Sequence, residues 1–323
     1  MMNQEIVAKP KLGKLYKDNV THDYYNYLLE LTDCVNLKPH TIAIDAGNGV
    51  IGELIPQLFS RLHSKIIPLF FKPDGSFPNH EANPLKKCNM RDLQKTVNLS
   101  GADFGVAFDG DGDRIGFFDD NGYIVPADII AALLAKFLLT LQPGATILYD
   151  VRSSRVVKEE IEANGGIACM TRVGHSFIKQ KMRETNAYFA SEFSGHFYFK
   201  DFYFADNTEY AIIMLILLLS KENSKLSELV QPLKRYYASG ECNFIVPQPM
   251  ETMVRLESEL AHEVDDISHF DGLSLTSAEW WANIRSSNTE PIFRVNLEAT
   301  SETIATEVIE KISHIIGSKP IKD

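Results

Sequence analysis

Two consecutive mixed or parallel α/β domains followed by a smaller α+β C-terminal domain are predicted by three features of this chain. Short apolar or β-branched runs alternate with helically spaced ones through the first two thirds. That order restarts after Pro126, and the final third changes to strand-like runs framing one amphipathic helix. At 323 residues the chain exceeds one ordinary core and suits two or three domains of about 100 residues. We place the boundaries at 1–21 for an N-terminal linker, 22–125 and 126–237 for the α/β domains, and 238–323 for the last.

In order, 41–45 is a short β-branched run ending in Ala46-Gly47-Asn48-Gly49, and 51–62 carries Ile51, Leu54, Ile55, Leu58 and Leu62 at helical spacing. Strands are expected at 65–71, 104–108 and 115–118, with a helix over 90–99. Pro126 is placed to open a helix that Gln142-Pro143-Gly144 ends near Leu141. The second series is a strand at 146–149, a helix over 155–163, a turn at Asn164-Gly165-Gly166, a strand at 167–171, a helix over 176–184 and a strand-like run at 187–190. Helices follow over 212–219 and 226–236. Strands at 243–246 and 291–297 then frame a helix whose Ile304, Val308, Ile309, Ile312, Ile315 and Ile316 share one face.

Composition narrows the function classes. Lys and Arg number 32 against 43 acidic residues, a net charge of −11, which argues against a nucleic-acid-binding face. Four cysteines stand tens of residues apart without C-x-x-C spacing, so we expect reduced thiols rather than a zinc site or a disulfide framework. The polar N-terminus lacks the apolar core of a signal peptide, and the greasiest run, 211–219, is too short to span a bilayer. A cytoplasmic protein without a membrane partner is the expectation.

The sharpest chemical signal is Asp109-Gly110-Asp111-Gly112-Asp113-Arg114, lying between two expected strands. Three carboxylates two residues apart on a glycine-loosened loop repel one another unless a divalent cation draws them together. An EF-hand would need glycine at the sixth position and glutamate at the twelfth, where Arg114 and Asp120 stand. An all-oxygen set on a short loop with open positions favours Mg²⁺, an acidic surface turn that binds nothing being the alternative. Elsewhere, Glu192, Ser194 and His196 alternate around a Ser-Gly pair and could bond sugar hydroxyls, or form a polar loop with a structural histidine. Arg285, Ser287, Asn288 and Thr289 read as a phosphate cradle or an ordinary polar turn. His175 and Lys179 stand near a helix start that could meet an anion, and Arg155 opens another helix. Neither a G-x-S-x-G elbow nor a P-loop occurs.

Taken together and in this order, the segments resemble the α-D-phosphohexomutase family, its phosphomannomutase/phosphoglucomutase branch. The matching stretches are Asp109 to Arg114, Gly174-His175-Ser176-Phe177-Ile178-Lys179, Glu192-Phe193-Ser194-Gly195-His196 and Arg285-Ser286-Ser287-Asn288-Thr289-Glu290-Pro291. Asp74-Gly75-Ser76-Phe77-Pro78-Asn79-His80 adds to the likeness without naming chemistry. The resemblance runs from about His22 onward and covers the last three of the family's four domains. It implies Mg²⁺ held by Asp109, Asp111 and Asp113, sugar hydroxyls gripped by Glu192, Ser194 and His196, and the non-reacting phosphate held by Arg285, Ser287, Asn288 and Thr289. Arg114, Arg155, His175 and Lys179 become supporting residues for charge or proton transfer.

Two departures stand out: Ser191 replaces the usual glycine before the glutamate, and Tyr203-Phe204-Ala205-Asp206-Asn207 replaces a stretch richer in glycine and aspartate. The family's phosphorylated serine lies in a Thr-Ala-Ser-His-Asn-Pro type loop of the first domain, and these 323 residues contain no such segment. The expectation is therefore a hexose 1-phosphate/hexose 6-phosphate mutase truncated at its N-terminus and inactive alone, with hexose phosphates and a separate serine-bearing domain as partners. A non-catalytic phosphosugar-binding protein is the alternative, and a Mg²⁺-dependent phosphatase a third reading.

Overall fold

A computed structural model describes residues 13–32, 37–287 and 290–321. Cys34 and the first part of the expected linker lie outside the described residues. The chain divides into two compact units. In the first, α1 (Thr21–Thr32) buries Tyr25, Leu28 and Thr32 along one stripe, and the Asn19 side chain accepts from the Thr21 N–H at 3.0 Å as the helix begins.

The second unit contains three five-stranded sheets. The first is built from β1 (Thr41–Asp45), α2 (Ile51–Phe59), β2 (Lys65–Leu69), α3 (Arg91–Ser100), β3 (Phe104–Phe108), β4 (Ile115–Phe118) and β5 (Ile124–Val125). Strand order is β2-β1-β3-β4-β5, parallel across the first three and antiparallel beyond, so the sheet is mixed. Every residue of β3 is buried, as its unbroken apolar run requires of a strand covered on both faces. The helix expected to reach Leu62 stops at Phe59. Beyond Ser60, Arg61 and Leu62 donate to Leu58 and Phe59 in tighter turns, yet Leu62 stays buried.

The second sheet repeats this plan with α4 (Ala127–Leu141), β6 (Thr146–Asp150), α5 (Arg155–Ala163), β7 (Ile167–Thr171), α6 (His175–Thr185), β8 (Phe189–Ser191), β9 (Phe197–Phe199), β10 (Ala205–Asp206), α7 (Thr208–Glu222) and α8 (Leu226–Val230). Its order is β10-β9-β8-β6-β7, with β8, β6 and β7 parallel and an antiparallel extension at the other side. A single helix over 226–236 does not form. Pro232 lacks an N–H, and the chain passes into a 3₁₀ turn at Gln231–Leu233.

The last sheet is wholly antiparallel: β11 (Tyr237–Ile245), α9 (Pro249–Leu260), β12 (Asp266–Ser268), β13 (Leu273–Thr276), β14 (Trp280–Ser286), β15 (Ile292–Ala299) and α10 (Glu302–Ile316), in the order β11-β15-β14-β13-β12. Ala282, Ile284, Val295 and Leu297 pack with Leu256, Val308 and Ile312 in one core. Alternation turns Asn283, Arg285, Asn296 and Glu298 to the opposite face. Arg285 and Ser286 therefore close a strand instead of sitting in the expected turn. Among the described residues no helix is long and apolar enough to cross a membrane.

Candidate active site

The chemistry-bearing side chains gather at the carboxyl ends of the parallel strands, where open α/β sheets present their ligands. Asp109 follows β3 directly and is 2% exposed. Its Oδ1 accepts the Gly112 and Arg114 N–H groups, both at 3.1 Å, and its Oδ2 meets Arg114 Nε at 2.6 Å. These bonds curl the loop so that one carboxylate oxygen from each of Asp109, Asp111 and Asp113 lies within 4.8 Å of the others. Burial raises the Asp113 carboxyl above its ordinary value, and the neighbouring Asp109 and Asp111 charges add to the rise against an opposing pull from His196. A divalent cation would relieve that repulsion, and an all-oxygen donor set with one exposed carboxylate fits Mg²⁺.

Two neighbours clamp this loop. Val50 N–H, after β1, donates to Gly110 O at 3.2 Å; a Cβ on Gly49 would lie 2.7 Å from that oxygen. From the second α/β unit, Gly195 O accepts the Ile115 N–H at 3.1 Å and the Thr208 hydroxyl donates to Gly112 O at 2.7 Å. Gly195 has φ +92°, and a Cβ there would fall 2.6 Å from Ile115 O. The acidic loop is thus locked against the turn that carries Ser194 and His196.

That turn joins β8 to β9 and is organised by Glu192, only 2% exposed. Its Oε2 accepts the Tyr198 hydroxyl at 2.6 Å and faces His196 Nδ1 at 3.1 Å, and its Oε1 accepts Gly174 N–H at 3.1 Å with Arg152 Nη2 3.9 Å away. Burial alone would raise its carboxyl, but His196, Tyr198 and Arg152 together hold it down at about 2. Both Glu192 oxygens, expected to face a sugar, are thus engaged within the protein as well. Ser194 Oγ lies 2.8 Å from His196 Nδ1.

His196 Nε2 stands 3.0 Å from His175 Nε2 and 3.5 Å from Asp113 Oδ1, so the acidic loop and the histidines form one continuous cluster. His175 begins α6; one turn on, Lys179 Nζ meets Asp206 Oδ1 at 2.5 Å, and His175 Nδ1 faces Asp206 Oδ2 at 3.8 Å. Burial pushes the Asp206 carboxyl up, yet Lys179 and His175 bring it below its usual range.

Arg285 Nε lies 3.5 Å from Asp271 Oδ1, while Asp271 Oδ2 accepts Val173 N–H at 2.9 Å, two residues before His175. Ser287 follows β14 and its N–H donates to Ile292 O at 2.9 Å; Asn288 and Thr289 lie outside the described residues. Arg155 does not join the cluster's hydrogen bonds. Its guanidinium donates to the carbonyls of Ser277, Ala278 and Trp280 and its N–H to Glu298 Oε1, a joint between the second and third sheets. Sequence reasoning passed over Arg152, whose buried guanidinium pairs with Asp150 at 2.6 Å beside Glu192. The available signal was an aspartate directly after an expected strand at 146–149, as Asp45 ends β1.

Family models for the phosphoglucomutase/phosphomannomutase α/β/α domain II, α/β/α domain III and C-terminal domain match residues 22–122, 126–236 and 241–315. The chain belongs to the phosphoglucomutase/phosphomannomutase family. It is 36% identical over 302 residues to a Methanocaldococcus jannaschii phosphomannomutase, covering 93% of this chain and 66% of that one. To a phosphomannomutase of Escherichia coli K12 it is 35% identical over 302 residues, covering 92% and 66%. A crystal structure of a phosphoglucomutase/phosphomannomutase family protein from Burkholderia thailandensis superposes with a TM-score of 0.85 at 31% identity, over 94% of this chain and 66% of that one. The chain spans about two thirds, 66%, of the length of these curated relatives. In phosphoglucomutase/phosphomannomutase terms, the acidic loop and Val50 come from domain II, the histidines, Glu192 and the clamping Gly195 and Thr208 from domain III, and Arg285 from the C-terminal domain.

Proposed function

We propose that this chain carries the metal, sugar and phosphate loops of a phosphohexomutase that interconverts hexose 1-phosphate and hexose 6-phosphate. The observation that carries the reading is the Asp109, Asp111 and Asp113 cluster held in hydrogen-bonded register with the turn bearing Ser194 and His196. Relatives about 35% identical and named phosphomannomutase support it.

In this reading the three aspartates hold Mg²⁺, which when bound neutralises charge on a transferring phosphoryl group. Ser194 has its oxygen turned to His196 Nδ1 and its proton available for a sugar hydroxyl. His196 offers Nε2, with Glu192 acting through it by fixing its orientation. Arg285, Ser287, Asn288 and Thr289 hold the phosphate that does not react. Arg114, His175 and Lys179 supply positive or proton-carrying groups around the cleft, and Arg155 braces the joint to the last sheet. A phosphoserine passes its phosphoryl group to one sugar hydroxyl, the resulting bisphosphate reorients, and its other phosphate returns to the serine. That serine belongs to the family's first domain, so turnover requires it. Hexose phosphates as partners and a cytoplasmic setting belong to the same proposal.

The test is mutase activity with mannose 1-phosphate and glucose 1-phosphate, Mg²⁺ and a trace of hexose 1,6-bisphosphate. The chain is assayed alone and mixed with a separately produced serine-bearing first domain. Turnover in the mixture only is expected. Turnover by the chain alone would refute the need for that serine, and sugar-phosphate binding without turnover in any mixture would reduce the chain to a binding protein.

A further inference from the structure

His175 and His196 meet edge to face, with ring centroids 4.2 Å apart, planes at 77° and their Nε2 atoms 3.0 Å apart. The protonation of the far nitrogens decides what lies between them. His196 Nδ1 sits 3.1 Å from Glu192 Oε2 and 2.8 Å from Ser194 Oγ; an ionised carboxylate only accepts and a hydroxyl can accept too, so the tautomer that serves both carries its hydrogen on Nδ1 and leaves a lone pair on Nε2. His175 Nδ1 faces the Asp206 carboxylate at 3.8 Å, which favours the same tautomer. Two lone pairs so placed repel unless a proton or a metal ion lies between them. Asp113 Oδ1, 3.5 Å from His196 Nε2, adds a third electron-rich atom, and one donor atom from each of the three residues falls within 4.8 Å of the others.

We propose that His175, His196 and Asp113 form a second metal site, distinct from the acidic loop but sharing Asp113 with it, that takes a borderline divalent cation of the Zn²⁺ class. Tetrahedral Zn²⁺ with ligands about 2.0–2.1 Å away separates its donors by about 3.3 Å, between the two separations found here. Two imidazoles with one carboxylate suit Zn²⁺, Co²⁺ or Ni²⁺, whereas the all-oxygen loop beside them suits Mg²⁺. The outer contacts agree in part: metal-ligating histidines characteristically give their other N–H to a carboxylate, Glu192 stands at that position for His196, and Asp206 lies 3.8 Å from His175 Nδ1, just beyond hydrogen-bond distance. With three protein ligands the ion keeps an open position toward the cleft. Because Asp113 is common to both sites, occupancy by Zn²⁺ competes with the acidic loop for that carboxylate, so the cation would oppose Mg²⁺-dependent chemistry there. The site itself requires no mutase activity.

The experiment titrates the full chain with Co²⁺ under excess Mg²⁺, reading the visible d–d absorption and its displacement by Zn²⁺, in a Cys88→Ser background that removes the exposed thiol. One equivalent of Co²⁺ in a low-symmetry site is expected, weakened at least tenfold by His175→Ala or His196→Ala and retained in Asp111→Asn. His175 is 37% exposed, so its replacement leaves the fold intact, which a melting curve verifies. No Co²⁺ signal, a signal indifferent to His175→Ala, or one lost with Asp111→Asn would overturn the proposal; the first two mean that the histidines share only a proton, the last that the ion sits in the acidic loop. None of these readouts depends on turnover, so failure of the mutase reading would leave the result interpretable.

Discussion

The acidic loop and the histidine cluster touch at Asp113 yet are built in opposite ways. The loop draws three carboxylates from five consecutive residues and is shaped chiefly by Asp109 hydrogen bonding to its own neighbours. The cluster takes His175 from the start of α6, His196 from the β8–β9 turn and Asp206 from β10, and depends on Glu192 to join Gly174, His196 and Tyr198. The lesson is that the loop's carboxylates, Asp109 excepted, should be dispensable to the fold, whereas the cluster's hub should be part of the fold itself. Substitutions should therefore separate stability from ligand binding along this line.

The largest effect is expected at Glu192. Glu192→Ala leaves buried Arg152 and His196 without a shared carboxylate and strips the Tyr198 hydroxyl of its acceptor. Removing one member of a buried charged network costs about 3–5 kcal/mol, so denaturant unfolding should shift by that amount. A loss below about 1 kcal/mol would mean that Glu192 is not the hub described.

The same residue gives a pH signature. Its folded carboxyl is held at about 2 against an ordinary value of 4.5, a depressed acid, so its stabilisation is present above about pH 4.5 and disappears as pH falls toward 2. The difference corresponds to about 3 kcal/mol at most. Asp128 runs the other way: burial, with Glu298 and Asp150 nearby, raises its carboxyl to about 6, so its contribution is fully present below about pH 4 and is lost as pH rises through 6. Comparing the pH dependence of unfolding in wild type and Glu192→Gln should remove the acid limb alone. Survival of that limb in the variant would assign it elsewhere.

Gly195→Ala should cost about 1–3 kcal/mol, because the added Cβ meets Ile115 O at 2.6 Å at a positive φ. Since Gly195 clamps the acidic loop to the histidine turn, cation affinity at the acidic loop should fall with stability. Calorimetric titration with Mg²⁺ beside a melting curve checks both, and unchanged affinity would mean that the loop keeps its shape without the clamp.

How far each region was legible in the sequence follows from the same contrast. The parallel strands β1, β3, β6 and β7 announce themselves through continuous apolar runs, and the acidic loop through spacing alone, since both are written in adjacent residues. β13 and β14 escaped because Ser274, Thr276, Asn283 and Arg285 interrupt their apolar pattern on the face turned away from the core, and β12 because its three residues, Asp266 to Ser268, hold a single apolar one. Glu192 was legible as a polar residue in a loop but not as a hub, because its partners Gly174 and Arg152 lie 18 and 40 positions away in the chain. The Arg155 joint depends on carbonyls of residues 277, 278 and 280, which carry no side-chain signature.

The smallest effect on the fold is expected where the chemical signal is strongest. Asp111 is exposed, and among the described contacts its carboxylate adds only repulsion toward Asp109 and Asp113. Asp111→Asn should therefore change stability by no more than about 0.5 kcal/mol without divalent cation, with a sign that favours the variant. In Mg²⁺ the order reverses: losing one of three charged ligands should weaken affinity by about tenfold or more, so added Mg²⁺ raises the melting temperature of wild type and barely moves that of the variant. Equal shifts in both proteins would place the ion elsewhere. A large loss of stability in metal-free Asp111→Asn would show instead that the loop, like the cluster, is part of the fold.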